Sequence, residues 1–544
     1  MVKRCESSEE GRCGVQADVI VLGRSLPGIV TAHKLKMRFG DSLDVVVIDL
    51  PRPPKGVSKI DMVTFYDDDD NADEIDNNAT QQNLDSYSRR FLLMYAKEFK
   101  ISIPDEVLNP LNVPHTHNKV FEHTNGSTVP CNNNFHDFEY LTVLEKFELN
   151  QYQRLIDEHM INLFCVSKTP SASERKQLLY FDRTTMERHI CGALLFPTSR
   201  EIMRSIVRLV CGVSPSSVSV LFYLHQCYRN DGCRDYIDGN NMKLREKLLG
   251  YYRKLLAHKL QESVADITLQ ANSIKNIRTY SHEQVILETR DEDTYVCRLL
   301  AMALRPDELH DIDVEPLLLS PRHADIVHFM LPGRLKKFKI RYETDFWRRD
   351  GFSGEILSIR GPIVWAIERP MLSATGSKKR LACLVGFLKA VKYELHKHDS
   401  KAEVIEQLVK LFGNDAAHPV NYRESDIEDL FVPRCGDYVA LKKWTEEENV
   451  RFVEWGTLDM YRDGDISGAL EAGHSAYLRV SSQLRPQGAT YEEVSAVDIR
   501  TNVYGNFFTR VTSKVNFVSG LSLVAYTAAI YVGIRLIKSY MNKT

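Results

Sequence analysis

The chain has 544 residues, 70 basic against 73 acidic side chains for a net charge of −3, with 43 % hydrophobic and 26 % charged residues. That profile excludes a disordered chain, a collagen-like repeat and a polybasic nucleic-acid binder, and the length allows about two to four domains. The 11 Cys are scattered from Cys5 to Cys435 with no CxxC pair and no zinc-spaced His cluster, so they read as reduced thiols without a metal site. The first residues have no signal-peptide core and too many acids for a transit peptide.

In chain order, the first legible unit is Asp18-Val19-Ile20-Val21-Leu22, an apolar run ending at Gly23. Leu26, Ile29, Val30, Ala32, His33 and Leu35 follow at helical spacing, and Asp44 to Asp49 form a second apolar run. This predicts a β-α-β unit. Between strand and helix, Gly23-Arg24-Ser25-Leu26-Pro27-Gly28 matches G-x-G-x-x-G with Ser25 at the second glycine. In such a turn the first Gly bends the chain, the second admits a pyrophosphate and the third packs helix on strand. Asp49 closes the second strand 26 residues after Gly23, near the separation at which a carboxylate accepts hydrogen bonds from an adenosine ribose. A structural β-α-β without nucleotide fits the same words.

Beyond it, Pro51-Arg52-Pro53-Pro54 is a stiff loop and Tyr66 to Asn78 an acidic stretch that reads as solvated. Met203, Ile206, Val207, Leu209 and Val210 mark a helix; Gln284 to Thr289 and Tyr295 to Leu304 mark strands. His189, His225, His258 and His282 have no partner at a diagnostic spacing. There is no Ser-His-Asp order, P-loop, metal box or aromatic-basic stripe, so hydrolase, kinase and nucleic-acid readings lack support. Near the end, Val515 to Ile534 lacks charge and is flanked by Arg510, Lys514, Arg535 and Lys538. About 20 helical residues rise about 30 Å, so this reads as a C-terminal transmembrane anchor at 515–535; a buried core helix is the alternative, given Asn516, Ser519, Gly520 and Ser522.

Further motifs carry a resemblance. Gly333-Arg334-Leu335-Lys336-Lys337-Phe338, Tyr342 to Arg349 with its Phe-Trp-Arg turn, Leu384-Val385-Gly386-Phe387, Pro419-Val420-Asn421-Tyr422, Val432-Pro433-Arg434-Cys435-Gly436, Trp455-Gly456-Thr457 and Gly468-Ala469-Leu470-Glu471-Ala472-Gly473 occur in that order. In order and spacing the chain resembles the flavin monoamine oxidases, as a divergent member. The resemblance implies an α/β fold, with a Rossmann-like FAD-binding domain, a mixed α+β substrate domain and the C-terminal transmembrane helix. The cofactor domain is expected at 15–90, 235–310 and 425–480, the substrate domain at 91–234 and 311–424, and a linker at 481–514.

It implies FAD held by Gly23, Ser25, Gly28, Asp49, Gly456, Thr457 and Gly468, with Cys435 at the position of covalent flavin attachment and Lys337 at that of the lysine ordering a water beside flavin N5. A small amine and O2 would be the reactants, giving aldehyde, ammonia and H2O2. A homodimer and a cytosol-facing place on the mitochondrial outer membrane, or else the endoplasmic reticulum, are further expectations. Two departures touch the pocket: Gly436 and the stretch Gly464-Asp465-Ile466 stand where the family carries the two tyrosines of its aromatic cage. Tyr438 is the nearest substitute for one, and Asp465 offers a carboxylate to the ribityl chain or an ammonium group. Read alone, Lys337 is a surface cation in the run Lys336-Lys337-Phe338-Lys339, and Cys435 a small core residue, the commoner fate of a free Cys. A non-catalytic, membrane-anchored flavoprotein-like scaffold is the alternative function.

Overall fold

The computed structural model describes residues 4–5, 14–50, 90–101, 117–164, 172–229, 232, 234–239, 251–368 apart from 272, 282 and 334, 381–389, 400–426, 431–447, 452–458, 466–485 and 531–532. Two large sheets organise them. The first has nine strands: β1 (Arg4–Cys5), β2 (Gly14–Leu22), β3 (Val45–Asp49), β6 (Thr268–Gln270), β7 (Ile274–Ser281), β8 (Gln284–Thr289), β9 (Thr294–Met302), β10 (Asp313–Val314) and β18 (Val453–Glu454). Its path is β10-β7-β8-β9-β2-β3-β6, with β1 on β2 and β18 on β9.

Burial pattern explains the mixed character of this sheet. Val19 to Leu22 and Val45 to Ile48 are buried without interruption, as parallel strands covered on both faces must be, and β2 pairs parallel with both β3 and β9. In β8, Val285, Leu287 and Thr289 are buried while the residues between them are partly exposed, and β8 pairs antiparallel with both β7 and β9.

Helix α1 (Leu26–Phe39) connects β2 to β3. Ser25 caps its start, and Gly40 at φ 50° returns its N–H to the Lys36 carbonyl at its end. The last helix of the body, Ile466–Leu484, packs on α1: Thr31 Oγ1 donates to the Gly473 carbonyl at 3.0 Å. A Cβ on Gly473 would fall 2.5 Å from the Pro27 carbonyl oxygen, which is why the two backbones approach so closely there.

The second sheet has the order β16-β12-β15-β14-β13-β4-β5. Its strands are β4 (Asn118–Glu122), β5 (Thr128–Cys131), β12 (Lys336–Tyr342), β13 (Phe352–Ser358), β14 (Ile363–Glu368), β15 (Ala382–Leu388) and β16 (Asn421–Asp426). One face packs Phe338, Ile340 and Tyr342 with Trp347 and with Leu408 and Leu411 of the helix Ser400–Phe412. The opposite face, with Trp365, Val385 and Phe387, belongs to the main core. Helices Val143–Phe164, Ala172–Asp182, Met186–Ala193, Pro197–Cys211 and Val220–Arg229 add a helical layer; the apolar spacing at 203–210 falls on the fourth of these, whose Met203, Ile206, Val207, Leu209 and Val210 are all buried. A two-stranded ribbon, β11 (Leu331–Pro332) against β17 (Phe431–Val432), ties the lead-in of β12 to the segment carrying Cys435.

One expectation is corrected. No helix among the described residues is long and apolar enough to cross a membrane, so the C-terminal transmembrane helix is not part of the described fold and anchoring through it is not supported. The expected span carries Asn516, Ser519, Gly520 and Ser522 near its start; of residues 515–535, all but Tyr531 and Val532 lie outside the described residues.

Candidate functional site

The β2–α1 turn is shaped by close backbone approach. Gly23 has φ 98° and gives its N–H to the Ile48 carbonyl at 2.8 Å; a Cβ there would sit 2.5 Å from the Ala303 carbonyl oxygen. A Cβ on Gly28 would sit 2.1 Å from the Ala303 Cβ and 3.1 Å from Val21 Cγ1, so α1 lies directly on the strands. Ser25 is buried. Its hydroxyl accepts from Gly28 N–H at 3.4 Å and donates to the Thr457 carbonyl at 3.3 Å, joining positions 432 residues apart.

Thr457 in turn donates from Oγ1 to the Met302 carbonyl at the end of β9, at 2.8 Å. Beside it, Gly456 N–H donates to Glu454 Oε1 at 2.7 Å. The space a Cβ would need there holds Arg479 Nη2, which binds the buried Glu454 carboxylate through two nitrogens. Gly468 is buried in the first turns of the helix Ile466–Leu484; Asp465 lies outside the described residues. The structure therefore gathers Gly23, Ser25, Gly28 and Thr457 at one corner, from both ends of the chain.

Asp49 ends β3 beside this corner and is 8 % exposed. Its Oδ2 accepts from Arg24 Nη1 at 3.2 Å and Gln270 Nε2 at 3.0 Å, while its Oδ1 is buried without a hydrogen-bond partner. A cavity of about 260 Å³ opens there, lined by Arg24, Val47, Asp49, Val264, Thr268 and Gln270 among others. An unmet buried acceptor costs stability unless a donor arrives, and a ribose diol is such a donor.

Lys337 lies on β12, half-buried, opposite Phe387 of β15 and Ser425 of β16. Side chains alternate along a strand, so Lys337 and Lys339 share the face away from Phe338 and Ile340, toward the main core. Phe387 stacks on Trp365, with ring centroids 6.1 Å apart, and Trp365 Nε1 donates to the Ile237 carbonyl at 2.9 Å. Sequence reading did not single out Arg24, Gln270, Lys339 or Trp365. For Lys339 the signal was present in the spacing Lys-Phe-Lys; Gln270 meets Asp49 only because β6 pairs with β3.

Cys435 is half-buried, and its thiol donates to the Asp182 carbonyl at 3.2 Å. Burial, and after it the nearby Asp182 and Asp437 carboxylates, push this thiol above its ordinary pKa. Asp182 accepts from the N–H groups of Tyr438 and Val439 at 3.2 and 3.1 Å, capping the short helix Tyr438–Lys442. Tyr438 turns inward: it is 1 % exposed, its hydroxyl is 2.6 Å from His225 Nδ1, and its ring meets Phe222 edge-on.

Residues 228–476 match the sequence profile of the flavin containing amine oxidoreductases. AofH of Mycobacterium tuberculosis, named as a flavin-containing monoamine oxidase, is 25 % identical over 301 residues, covering 53 % of this chain and 63 % of that protein. The flavin-containing amine oxidase of Oncorhynchus mykiss is 23 % identical over 387 residues, 66 % of this chain and 71 % of that one. Among solved structures, a putrescine oxidase redesigned in cofactor binding matches with a TM-score of 0.64 at 14 % identity, covering 86 % of this chain and all of that one. Cyclohexylamine oxidase of Brevibacterium oxydans gives 0.62 at 16 %, covering 86 % and 99 %. These matches support a divergent relative of the flavin amine oxidases.

The family's cofactor is FAD, and the nucleotide end of this site fits it. Gly23 and Gly28 pack the β2–α1 turn closely on the neighbouring strands, Asp49 presents an unmet acceptor, and a cavity lies beside it. Around Cys435, the thiol is engaged with the Asp182 carbonyl and the neighbouring Tyr438 is a buried core residue.

Proposed function

We propose that the chain binds FAD and oxidises an amine to an imine, which water hydrolyses to aldehyde and ammonia while O2 leaves as H2O2. The observation that carries this reading is the buried, unpartnered Asp49 Oδ1 beside the glycine turn and an open cavity. Bound FAD would supply the two-electron acceptor for the α-carbon hydride equivalent. In this chain Gly23, Ser25, Gly28, Asp49, Gly456, Thr457 and Gly468 hold the cofactor, and Asp49 accepts the ribose hydroxyls. Lys337 carries a cation on a flexible stem that orders a water and balances negative charge at the reacting end.

The half-buried thiol of Cys435 is engaged as a donor to the Asp182 carbonyl, and in this reading it does not carry the flavin covalently. Acid precipitation of purified protein tests this: yellow supernatant over a colourless pellet is expected, and yellow pellet refutes it. The catalytic step is tested with a panel of primary amines in a peroxide-coupled assay, where Lys337→Met should lower kcat with flavin content unchanged. Turnover unaffected by that change removes Lys337 from the reaction.

A second reading rests on Gly436 and the inward Tyr438: the chain holds FAD without oxidising amines. Flavin that is bound, and reduced by dithionite but by no amine of the panel, favours this reading over the first.

A further inference from the structure

The β2–α1 turn in this chain is a poor phosphate site by its amides alone. Pro27 has no N–H, Gly28 N–H goes to Ser25 Oγ and Ile29 N–H goes to the Ser25 carbonyl, which leaves the amides of Arg24 and Leu26 for a ligand. A cation is close at hand. Arg24 stands in the turn itself, its side chain is 46 % exposed and lines the 260 Å³ cavity, and its guanidinium touches Asp49 through a single 3.2 Å contact.

That contact is replaceable. Gln270 Nε2 already holds the same Asp49 oxygen at 3.0 Å, and Oδ1 has no partner at all. Two ribose hydroxyls donating to Asp49 would satisfy both oxygens without Arg24. A guanidinium freed in this way, anchored in the phosphate turn, matches a phosphate through two parallel N–H bonds, which one 3.2 Å contact to a carboxylate does not use.

We propose that Arg24 is a cofactor-holding residue, whose guanidinium rests on Asp49 while the site is empty and turns to the pyrophosphate of an adenine dinucleotide when Asp49 takes the ribose. This rests on the FAD reading above and adds to it the residue that supplies the phosphate charge. It also makes the ion pair a placeholder: the carboxylate is kept from repelling the incoming phosphates until the ribose arrives.

The test is titration calorimetry on the full chain freed of nucleotide, with adenosine and ADP as probes. Wild type should bind ADP more tightly than adenosine, and added salt should narrow the gap. Arg24→Gln should weaken ADP about tenfold or more, the size of one charge-assisted hydrogen bond to phosphate, and leave adenosine unchanged or tighter. Arg24→Lys, which keeps the charge and the partner for Asp49, should fall between and covers the case of a misfolded Gln variant. Equal weakening of both probes would make Arg24 only a support for Asp49 and overturn the proposal, as would unchanged ADP binding in both variants. A wild-type chain that binds neither probe overturns the nucleotide site itself, and with it the FAD reading. A chain that binds both with the expected Arg24 dependence but oxidises no amine leaves this proposal standing and fails only the catalytic one.

Discussion

Replacing Gly28 by Ala should destabilise the cofactor corner, and adding Ala303→Gly should reverse much of the damage. Gly28 has ordinary helical backbone, unlike Gly23 at φ 98°, so only space is at stake. The new Cβ would lie 2.1 Å from the Ala303 Cβ, where carbon contact prefers roughly 3.5–4.0 Å, and 3.1 Å from Val21 Cγ1. Ala303 and Val21 are buried to 1 % and 0 % exposure, so neither has room to withdraw. Helix α1 would have to lift from the sheet, an overpacking cost of about 1–3 kcal/mol. Ala303→Gly alone loses one buried methyl, about 1 kcal/mol. In the double variant the worst contact is gone, so the two costs should fall short of their sum by about 1–2 kcal/mol. Urea midpoints read by pulse proteolysis give the three values relative to wild type. Strict additivity would mean that α1 does not rest on Ala303 in the way the distances require, and the argument for the glycine spacing would fail with it.

Two other perturbations act on buried charge. Glu454→Ala should cost about 3–5 kcal/mol, because Arg479 loses a bidentate partner in a poorly hydrated place; adding Arg479→Ala should recover part of it, and urea midpoints that show no recovery refute the pairing. Asp157 has its carboxyl pushed up to about 6 by burial, with Arg234 only partly opposing. A folded pKa above the unfolded one gives relative stability that is present below about pH 4 and is lost as pH rises through about 6. Asp157→Asn should therefore stabilise the fold at pH 7, by up to about 3 kcal/mol, and do nothing near pH 4; urea midpoints at the two pH values check this, and equal effects at both refute it.

What could be read in advance followed physical range. The strand, turn and helix from Asp18 to Asp49 were legible because period and glycine placement are local. The long-range partners were not. Gln270 reaches Asp49 through strand pairing across 221 residues, and Asp182 meets Cys435 across 253. Sheet order and helix docking decide both contacts, and neither leaves a mark in spacing. Tyr438 shows the same limit from the other side: its place near Cys435 in sequence suggested a pocket wall, but His225 and Phe222 on a distant helix draw it into the core. The apolar tail is a separate case: apart from Tyr531 and Val532 it lies outside the described residues, among which no helix is long and apolar enough to cross a bilayer.

The residues of the corner differ in what they say about function. Gly23, Gly28, Gly456 and Gly473 are each required by neighbouring backbone or side chains, so a scaffold with this fold would need them as much as an enzyme would. Asp49 is different. A buried carboxylate oxygen with no donor costs a fold about 1–3 kcal/mol or more and returns nothing to packing, and Asn in its place would carry its own donors and less charge. The fold tolerates Asp49 because Arg24 and Gln270 hold one oxygen and leave the other facing a cavity. Asp49→Asn thus separates the two explanations: a stability gain together with lost ADP binding marks a ligand site, whereas unchanged ADP binding would reduce the whole corner to architecture.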